Sequence, residues 1–568
     1  MSILNRQKPT AKQWCCVYSV LNLKEKFIFI LLIVIFLGSL ISWAGLIYIS
    51  KTKTIPKFGG EYIEGIAGQP QYINPVISKS NTTDEDLAQL IYSGIFKYDN
   101  EGKLINDLAE SYEISEDKKL YTIHLKEGVL WHDGIPFTAN DVLFTFNIIV
   151  DPAYKSPDRF NWDGVTANVL DNRTIVFQTE HIYVGLLNNL TFGILPKHIW
   201  EPIGPDKFFL TDLNLQPIGT GPYKFSPPIQ KDSRGNIISY KLVANPNYFG
   251  GKPYISKITF NFYQDDETLI DRFNQKEIMG INSVTAQEMK SIKLIQSVNF
   301  HQFSTLRYLA VFFNKTKSVP LAYKEVREAL ALSTNREEIV REVLDNKADI
   351  IYSPILHEMN GFTEDFKKYE FNLDQANKIL DDAGWARGED GIRSKNEIKL
   401  EFNLITLNTP ELVKTAEFLK NQWEKIGIRV NINSYSGFDI QQNYIRPREY
   451  DAVLFGHSMT NIPDLFSFWH SSEKKDSGKN LSLFGDNTTD KLIEESRIEF
   501  DEQKRNELYK QFQQKLAEEI PAIFLYSPDY IYPVNKSVRG IEIKNISSAS
   551  KRFSNIEKWY IKTKRVWK

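Results

Sequence analysis

Apolar and polar residues alternate most legibly after Leu120, where Tyr121, Ile123 and Leu125 interleave with Thr122, His124 and Lys126. That is the period of a strand with one buried face. Asp133-Gly134 is a turn dipeptide. Thr138 then stands where an N-cap would, with Asp141 three positions on to complete a capping box. Val142, Phe146 and Ile149 follow at helical spacing and share one face. Strand, turn and capped helix are thus predicted within one short stretch.

Similar patterns run along the chain. Asp84–Phe96 is predicted as a helix, Ser115–Lys119 as a hairpin turn, and Thr174–Phe177, Ile258–Tyr263 and Tyr308–Phe313 as strands. Asp374–Asp382 reads as a helix with Ala376, Ile379 and Leu380 inward, stopped at Gly384. Pro410 opens a helix carrying Leu412, Ala416, Leu419, Trp423 and Ile426 on one face, and Gly427 ends it. Ile428, Val430 and Ile432 then alternate as a strand, and Val453-Leu454-Phe455 is a short apolar one. Helices over Thr489–Phe500 and Glu502–Glu519 precede a strand at Pro521–Tyr526 and a tail strand around Val538–Ile543. Helix and strand alternating in this way indicate mixed α/β layers. The sequence holds no internal repeat and no low-complexity tract.

The N-terminus departs from this pattern. Residues 1–26 carry Arg6, Lys8, Lys12, Lys24 and Lys26 against Glu25 alone, and Phe27 to Ile49 then runs without a charge. At about 1.5 Å per residue this run is long enough to cross a hydrocarbon core of about 30 Å. The basic flank favours a cytoplasmic N-terminal segment over 1–26, a transmembrane anchor over 27–49 and the bulk outside, although Lys51, Lys53 and Lys57 weaken that bias. A cleaved signal peptide is the competing reading. Its small-x-small site would be Ser42-Trp43-Ala44, a poor match with apolar residues continuing beyond it. The anchor is the expectation, with Lys51–Lys57 as a short linker.

Composition narrows the rest. The remaining length suits roughly three ordinary domains. A hydrophobic fraction of 42% and a charged fraction of 25% are ordinary for globular chains. The net charge of −2 gives no reason to expect nucleic acid or an anionic surface as partner. Thirty-six Phe and 27 Tyr fit aromatic-rich cores as well as a stacking cleft. Cys15 and Cys16 are the only cysteines, and both precede the apolar run, where a lipoprotein's acceptor Cys would follow it. The large remainder therefore has no disulfide and no thiol nucleophile or ligand.

Several ordered strings carry a resemblance. They are Gly59-Gly60-Glu61-Tyr62, Ile73-Asn74-Pro75, the run from Trp131-His132-Asp133-Gly134 to Asp141-Val142, and Pro217-Ile218-Gly219-Thr220-Gly221-Pro222-Tyr223. Asn245-Pro246-Asn247-Tyr248-Phe249-Gly250-Gly251-Lys252-Pro253-Tyr254, Val326-Arg327-Glu328-Ala329-Leu330 and the segment from Arg448 to Ser472 continue the series. Together they resemble the family 5 extracellular solute-binding proteins, the peptide- and nickel-binding receptors of ABC importers. The resemblance implies an α/β, periplasmic-binding-protein-like type II fold of cluster C, with three lobes around a ligand cleft. Lobe I would comprise 58–110, 217–306 and 531–568, lobe II 111–216, and lobe III 307–530. It further implies a monomer that captures peptides or a similar small solute for permease and ATPase subunits. The chain has no Walker A loop of its own, so ATP hydrolysis would belong to a partner. A sensor that binds the same ligands without transport is a further reading.

Within this resemblance Arg448–Ser472 is the cleft-lining segment, and the ligand-binding candidates are Gly456, His457, Ser458, Met459, Thr460, Asp464 and Tyr308. In the peptide receptors the segment pairs with ligand backbone and supplies an acidic residue for the ligand's ammonium group. Uncharged Thr460 falls at that acidic position, and Asp464, four residues later, is either its replacement or a turn and capping residue. Gly456-His457-Ser458-Met459-Thr460 also has the outline of a hydrolase nucleophile elbow. That motif needs a second Gly at Thr460 and an immediate helix, which Pro463 opposes, so a serine esterase is only the rival expectation. His357-Glu358 lacks a second zinc ligand, since Gly361 stands in its place. No cofactor and no metal are expected, and neither is a catalytic residue.

Overall fold

The computed structural model describes Thr10 and residues 21–460, 462–476 and 478–568. Most of the basic segment before the apolar run, Cys15 and Cys16 with it, and Asn461 lie outside the described residues. Two units are distinguished: one holds Met1–Phe58 with Lys562–Lys568, the other Gly59–Ile561.

In the first unit the apolar run forms one helix, Leu23–Lys51, opened by a capping box in which Asn22 and Glu25 bond reciprocally at 2.9 and 3.0 Å. None of its residues is buried, and it is long and apolar enough to cross a bilayer. The expected linker Lys51–Lys57 is instead a strand, Thr52–Lys57, paired antiparallel with Lys562–Trp567 near the other end of the chain. Local sequence gives no sign of this, because the partner is remote.

In the second unit, nine strands drawn from distant parts of the chain form one sheet. Its path runs Gln230–Lys231, Ile237–Ala244, Lys257–Tyr263, Glu61–Ala67, Gly280–Ile281, Tyr530–Asn535, Val298–Thr305, Asn545–Ile546, with Tyr223–Phe225 against Ile237–Ala244. A four-stranded antiparallel sheet contains Ala109–Ile114, Leu120–Leu125, Thr174–Thr179 and Val165–Asp171 in that order. A six-stranded sheet is ordered Ala348–Ile350, Ala522–Pro528, Arg307–Phe313, Ala452–Ser458, Glu401–Leu407, Arg429–Tyr435. Two short crossings join the nine- and six-stranded sheets, Leu306 and Asp529. They lie side by side, with Thr305 Oγ1 donating to Pro528 O at 2.7 Å and Ser527 Oγ to Thr305 O at 3.1 Å.

Both faces of the six-stranded sheet are covered. Leu309, Val311 and Phe313 pack into one apolar core, and Tyr308, Ala310 and Phe312 into another on the opposite side. This is the two-residue period of a strand read out on two buried faces. Beneath the nine-stranded sheet Arg552, wholly buried, pairs with Glu64 at 3.0 Å and Asp86 at 2.5 Å. Nothing in the sequence singles out that triad. A buried guanidinium left without both carboxylates would carry a large desolvation penalty.

The opening motif forms as expected. Tyr121, Ile123 and Leu125 are buried, the Thr138–Asp141 capping box closes on helix Ala139–Val150, and Val142, Phe146 and Ile149 face inward. The two motif runs also meet. Gly219 N donates to His132 Nδ1 at 3.2 Å and His132 N to Gly219 O at 2.9 Å, while His132 Nε2 lies 3.1 Å from Gly221 O. A Cβ on Gly219 would stand 1.9 Å from the carbonyl oxygen of Ile91, so the close backbone approach requires glycine. The helix expected over Asp84–Phe96 is shorter, Thr82–Ile91, because Tyr92 is already extended. The tail strand expected at Val538–Ile543 reduces to a single bridge between Arg539 and Tyr560.

Candidate functional site

A cavity of about 520 Å³ is lined by loops and helices of the second unit together with the end of the strand Ala452–Ser458. Ser458, Met459, Thr460, Ile462 and Asp464 form one wall, and the rest of the lining comes mainly from three stretches, Pro75 to Asp107, Asp158 to Gly193 and Ser547 to Glu557. The strand Ala452–Ser458 delivers the first wall. Arg307–Phe313 pairs with it along its whole length, but on its other edge Glu401–Leu407 pairs only at Ala452 and Val453. Beyond Val453 that edge has no ladder partner among the described residues.

The seven ligand-binding candidates divide here. Ser458 and Thr460 are exposed, Asp464 is half-buried, Met459 is buried at the cavity wall, and these four line the cavity. Gly456, His457 and Tyr308 do not. Tyr308 is opposite His457 in the ladder, its hydroxyl lies 3.0 Å from His457 Nδ1, and both side chains enter the core on the far face. The reason is the strand period: with Ser458 toward solvent, its neighbour His457 must point the other way. Its ring packs on Phe312 and Phe468 at 4.9 and 4.4 Å. Burial, aided by Lys479 and Arg448, pushes its pKa down to about 3. His457 is therefore neutral, committed to packing and not a base for Ser458.

Asp464 accepts from Phe466 N at 3.3 Å and Ser467 Oγ at 2.8 Å, both in the short helix Phe466–Trp469 that follows it. It also forms an ion pair with Arg497 at 3.7 Å. Arg497 lies over the rings of Phe466 at 4.5 Å and Tyr183 at 4.9 Å, and its carbonyl accepts from Val184 N at 2.9 Å. Elements following the six-stranded and four-stranded sheets are thereby tied together at the rim.

The opposite wall holds charges that no sequence motif marks. Lys97 and Asp107 pair at 3.0 Å, and Lys551 donates to Gln89 at 2.7 Å. Burial pushes the Asp107, Glu85 and Glu557 carboxyls up and the Lys551 ammonium down. The hydroxyl of Tyr92, buried at this wall, has no hydrogen-bond partner among the described residues. Such an arrangement can receive both signs of charge in a poorly solvated space, where electrostatic contacts are strengthened. These residues run from position 85 to 557 and share no spacing that sequence alone could reveal. The described residues contain no group of three or more His, Cys, Asp or Glu placed to hold a metal ion.

Residues 103–479 match the model of the bacterial extracellular solute-binding proteins, family 5 Middle. The chain belongs to this family. It is a family of binding proteins, and its α/β fold is periplasmic-binding-protein-like, with the binding region extracytoplasmic. Among its relatives, the oligopeptide-binding protein AppA of Bacillus subtilis (strain 168) is 28% identical over 521 residues, covering 90% of this chain and 93% of the relative. The structure of AppA in complex with a nonapeptide superposes with a TM-score of 0.72 at 27% identity, covering 89% of this chain and 100% of that one. The ABC transporter substrate binding protein CtaP from Listeria monocytogenes gives a TM-score of 0.77 at 27% identity, over 89% and 99%. NikZ from Campylobacter jejuni, in complex with Ni(L-His), gives 0.73 at 25% identity, over 88% and 99%.

Proposed function

We propose that this chain captures short peptides outside the cell membrane and delivers them to the permease and ATPase subunits of an ABC importer. The observation that carries this reading is the wall Ser458–Thr460, at the end of a strand whose edge is unpaired, facing a second wall with buried charges of both signs. A zwitterionic peptide matches that pair of walls. Its backbone can add to the open edge as an extra strand, while its ammonium and carboxylate meet the charged groups opposite. The cavity volume lies in the usual range for small ligands, about 300–1,000 Å³. The peptide-bound AppA relative supports the same ligand class. Asp464 is already engaged by its helix and by Arg497, so it is a poor anchor for a free amine unless Arg497 moves.

The chain works in this reading as a three-lobed cluster C receptor, with lobe I from 58–110, 217–306 and 531–568, lobe II from 111–216 and lobe III from 307–530. The composition of the three sheets supports the division, and the adjacent crossings Leu306 and Asp529 are suited to serve as the hinge. The protein acts as a monomer and stays in the membrane through Phe27–Ile49. The helix Leu23–Lys51, long and apolar enough to cross a bilayer, supports retention. Against the esterase rival, the neighbouring histidine, His457, faces away from Ser458 and is no base for it.

Mass spectrometry of material released by denaturing the purified full chain should detect short peptides. A non-peptide solute alone would overturn the ligand class. Fractionation with sequencing of the mature N-terminus checks the anchor; a soluble product beginning near Gly45 refutes it. Labelling of Ser458 by a fluorophosphonate, with ester turnover, would reinstate the esterase.

A further inference from the structure

The ribbon made by Thr52–Lys57 and Lys562–Trp567 is sorted by its register into two unlike faces. Residues directly opposite one another share a face, which places Thr52, Thr54 and Pro56 with Trp567, Arg565 and Thr563, and Lys53, Ile55 and Lys57 with Val566, Lys564 and Lys562. The first face turns to the end of the apolar helix. Arg565 donates to Ile49 O at 2.9 Å and to Thr52 Oγ1 at 2.8 Å, and Trp567 meets the ring of Tyr48 edge-on at 5.9 Å. The second face carries Lys53, Lys57, Lys562 and Lys564, all exposed.

Two features of that second face are unfavourable in water. Lys57 and Lys562 stand directly opposite one another, and like charges in that position destabilise a ladder. A two-stranded ribbon with one face open to solvent is marginal in any case. No Asp or Glu lies between Lys26 and Gly60 or after Glu557 to offset the charge. The ribbon is continuous with the last turn of the helix, where Tyr48 and Trp567 are the amphipathic aromatics found at headgroup depth. A surface of negative charge adjacent to that turn would remove the repulsion and stabilise the ribbon together.

We propose that the four-lysine face of the ribbon is a seat for anionic phospholipid headgroups, so that the two paired strands lie along the bilayer surface. This rests on retention of the apolar helix in the membrane. A six-residue ribbon is about 20 Å long, whereas screening at physiological salt extends only about 8 Å. A ribbon standing upright would therefore leave Lys57 and Lys562 beyond reach of the surface, and only a ribbon lying flat engages all four lysines.

The test places the full chain in nanodiscs of phosphatidylcholine, with or without phosphatidylglycerol, and measures amide hydrogen exchange across both strands. Each lysine held at an anionic surface is worth roughly a fivefold factor in affinity. Exchange should therefore slow more than about tenfold in the anionic discs, and the difference should vanish at high salt. Replacing Lys53, Lys57, Lys562 and Lys564 by Gln should abolish the response to lipid charge. The same variant should exchange no faster than the wild type in zwitterionic discs, because the Lys57–Lys562 repulsion is gone. Replacing the four by Arg should keep the response. A chain that enters neither disc overturns the anchor and the seat with it. A chain that enters both and exchanges identically overturns the seat alone. Protection by inorganic phosphate in zwitterionic discs would assign the face to a free anion and refute the lipid.

Discussion

Arg497 is the side chain whose removal best separates closure of the cavity from contact with a ligand. It does not line the cavity, yet it bridges Tyr183 on one side with Phe466 and Asp464 on the other. In Arg497→Met the stem and the carbonyl that accepts from Val184 N survive, and the guanidinium contacts are lost. Each ring contact, at 4.9 and 4.5 Å and partly exposed, is worth about 0.5–1 kcal/mol. The Asp464 pair, with side chains 35% and 31% exposed, adds at most about 1 kcal/mol after screening by solvent. The sum is about 1–3 kcal/mol, which corresponds to roughly five- to a hundredfold in a closure equilibrium.

If closure is coupled to binding, that factor appears in the measured affinity, because the competent state is populated less. Calorimetry with a peptide library should give a Kd raised by about tenfold, with the loss in the dissociation rate. Small-angle scattering should show less compaction at the same ligand concentration. Tyr183→Leu should be non-additive with Arg497→Met, since both remove one contact. A Kd within twofold of the wild type, with unchanged compaction, refutes the latch and leaves Arg497 a rim residue of no consequence.

The cavity wall makes its own prediction. Ser458→Ala should bind almost as well as the wild type, because the main chain does the pairing. Gly456→Val should weaken binding, since even a Cβ there stands 3.0 Å from Arg307 Nε and from Leu309 Cδ1. Thr460→Asp should favour ligands with a free amine by about 1.5–3 kcal/mol, and equal losses from all three would move the ligand elsewhere. Gly219→Ala should lower the unfolding midpoint through a loss of about 2–4 kcal/mol, given the 1.9 Å approach to Ile91 O; an unchanged denaturation curve would refute the contact. Burial holds the His132 pKa down at about 4, below its ordinary value of about 6.5. The unfolded chain thus binds the proton first, so stability is present above about pH 6.5 and lost towards pH 4, by about 3 kcal/mol. His132→Asn should flatten that limb of the stability profile. Asp84 and Asp529, raised to about 6 mainly by burial, act with the opposite sign, so the comparison must be made against the variant.

What was legible in the sequence is what a few neighbouring residues decide. The Thr138–Asp141 box, the stops at Gly384 and Gly427, and the alternation through Tyr121–Leu125 each depend on contacts within about one turn or one strand, and each forms as expected. Of the expected stretch 456–460 the structure brings Ser458, Met459 and Thr460 to the cavity and leaves Gly456 and His457 off it. A strand covered on both faces gives no polar side by which to tell inward from outward. His457, the polar residue that looks functional, is the one the period turns into the core, while Ser458 reaches the cavity. The opposing charges, Lys97, Asp107 and Lys551, are functional candidates only because folding collects them.

The ribbon shows the same limit more sharply. Lys53, Thr54, Ile55, Pro56 and Lys57 lack the apolar–polar alternation of a half-buried strand, and the proline and the lysines argue for a linker when the segment is read alone. Pro56 is tolerated because a two-stranded ribbon has an outer edge that needs no donor. The lysines are tolerated, on the proposal made above, because their face meets a charged bilayer and not water. Residues that count against a strand when read alone thus sit in one here, and only the remote partner Lys562–Trp567 discloses it. Arg565 follows the same logic: its bonds to Ile49 and Thr52 tie the second strand to the last turn of the helix, and the second strand's own sequence gives no sign of them.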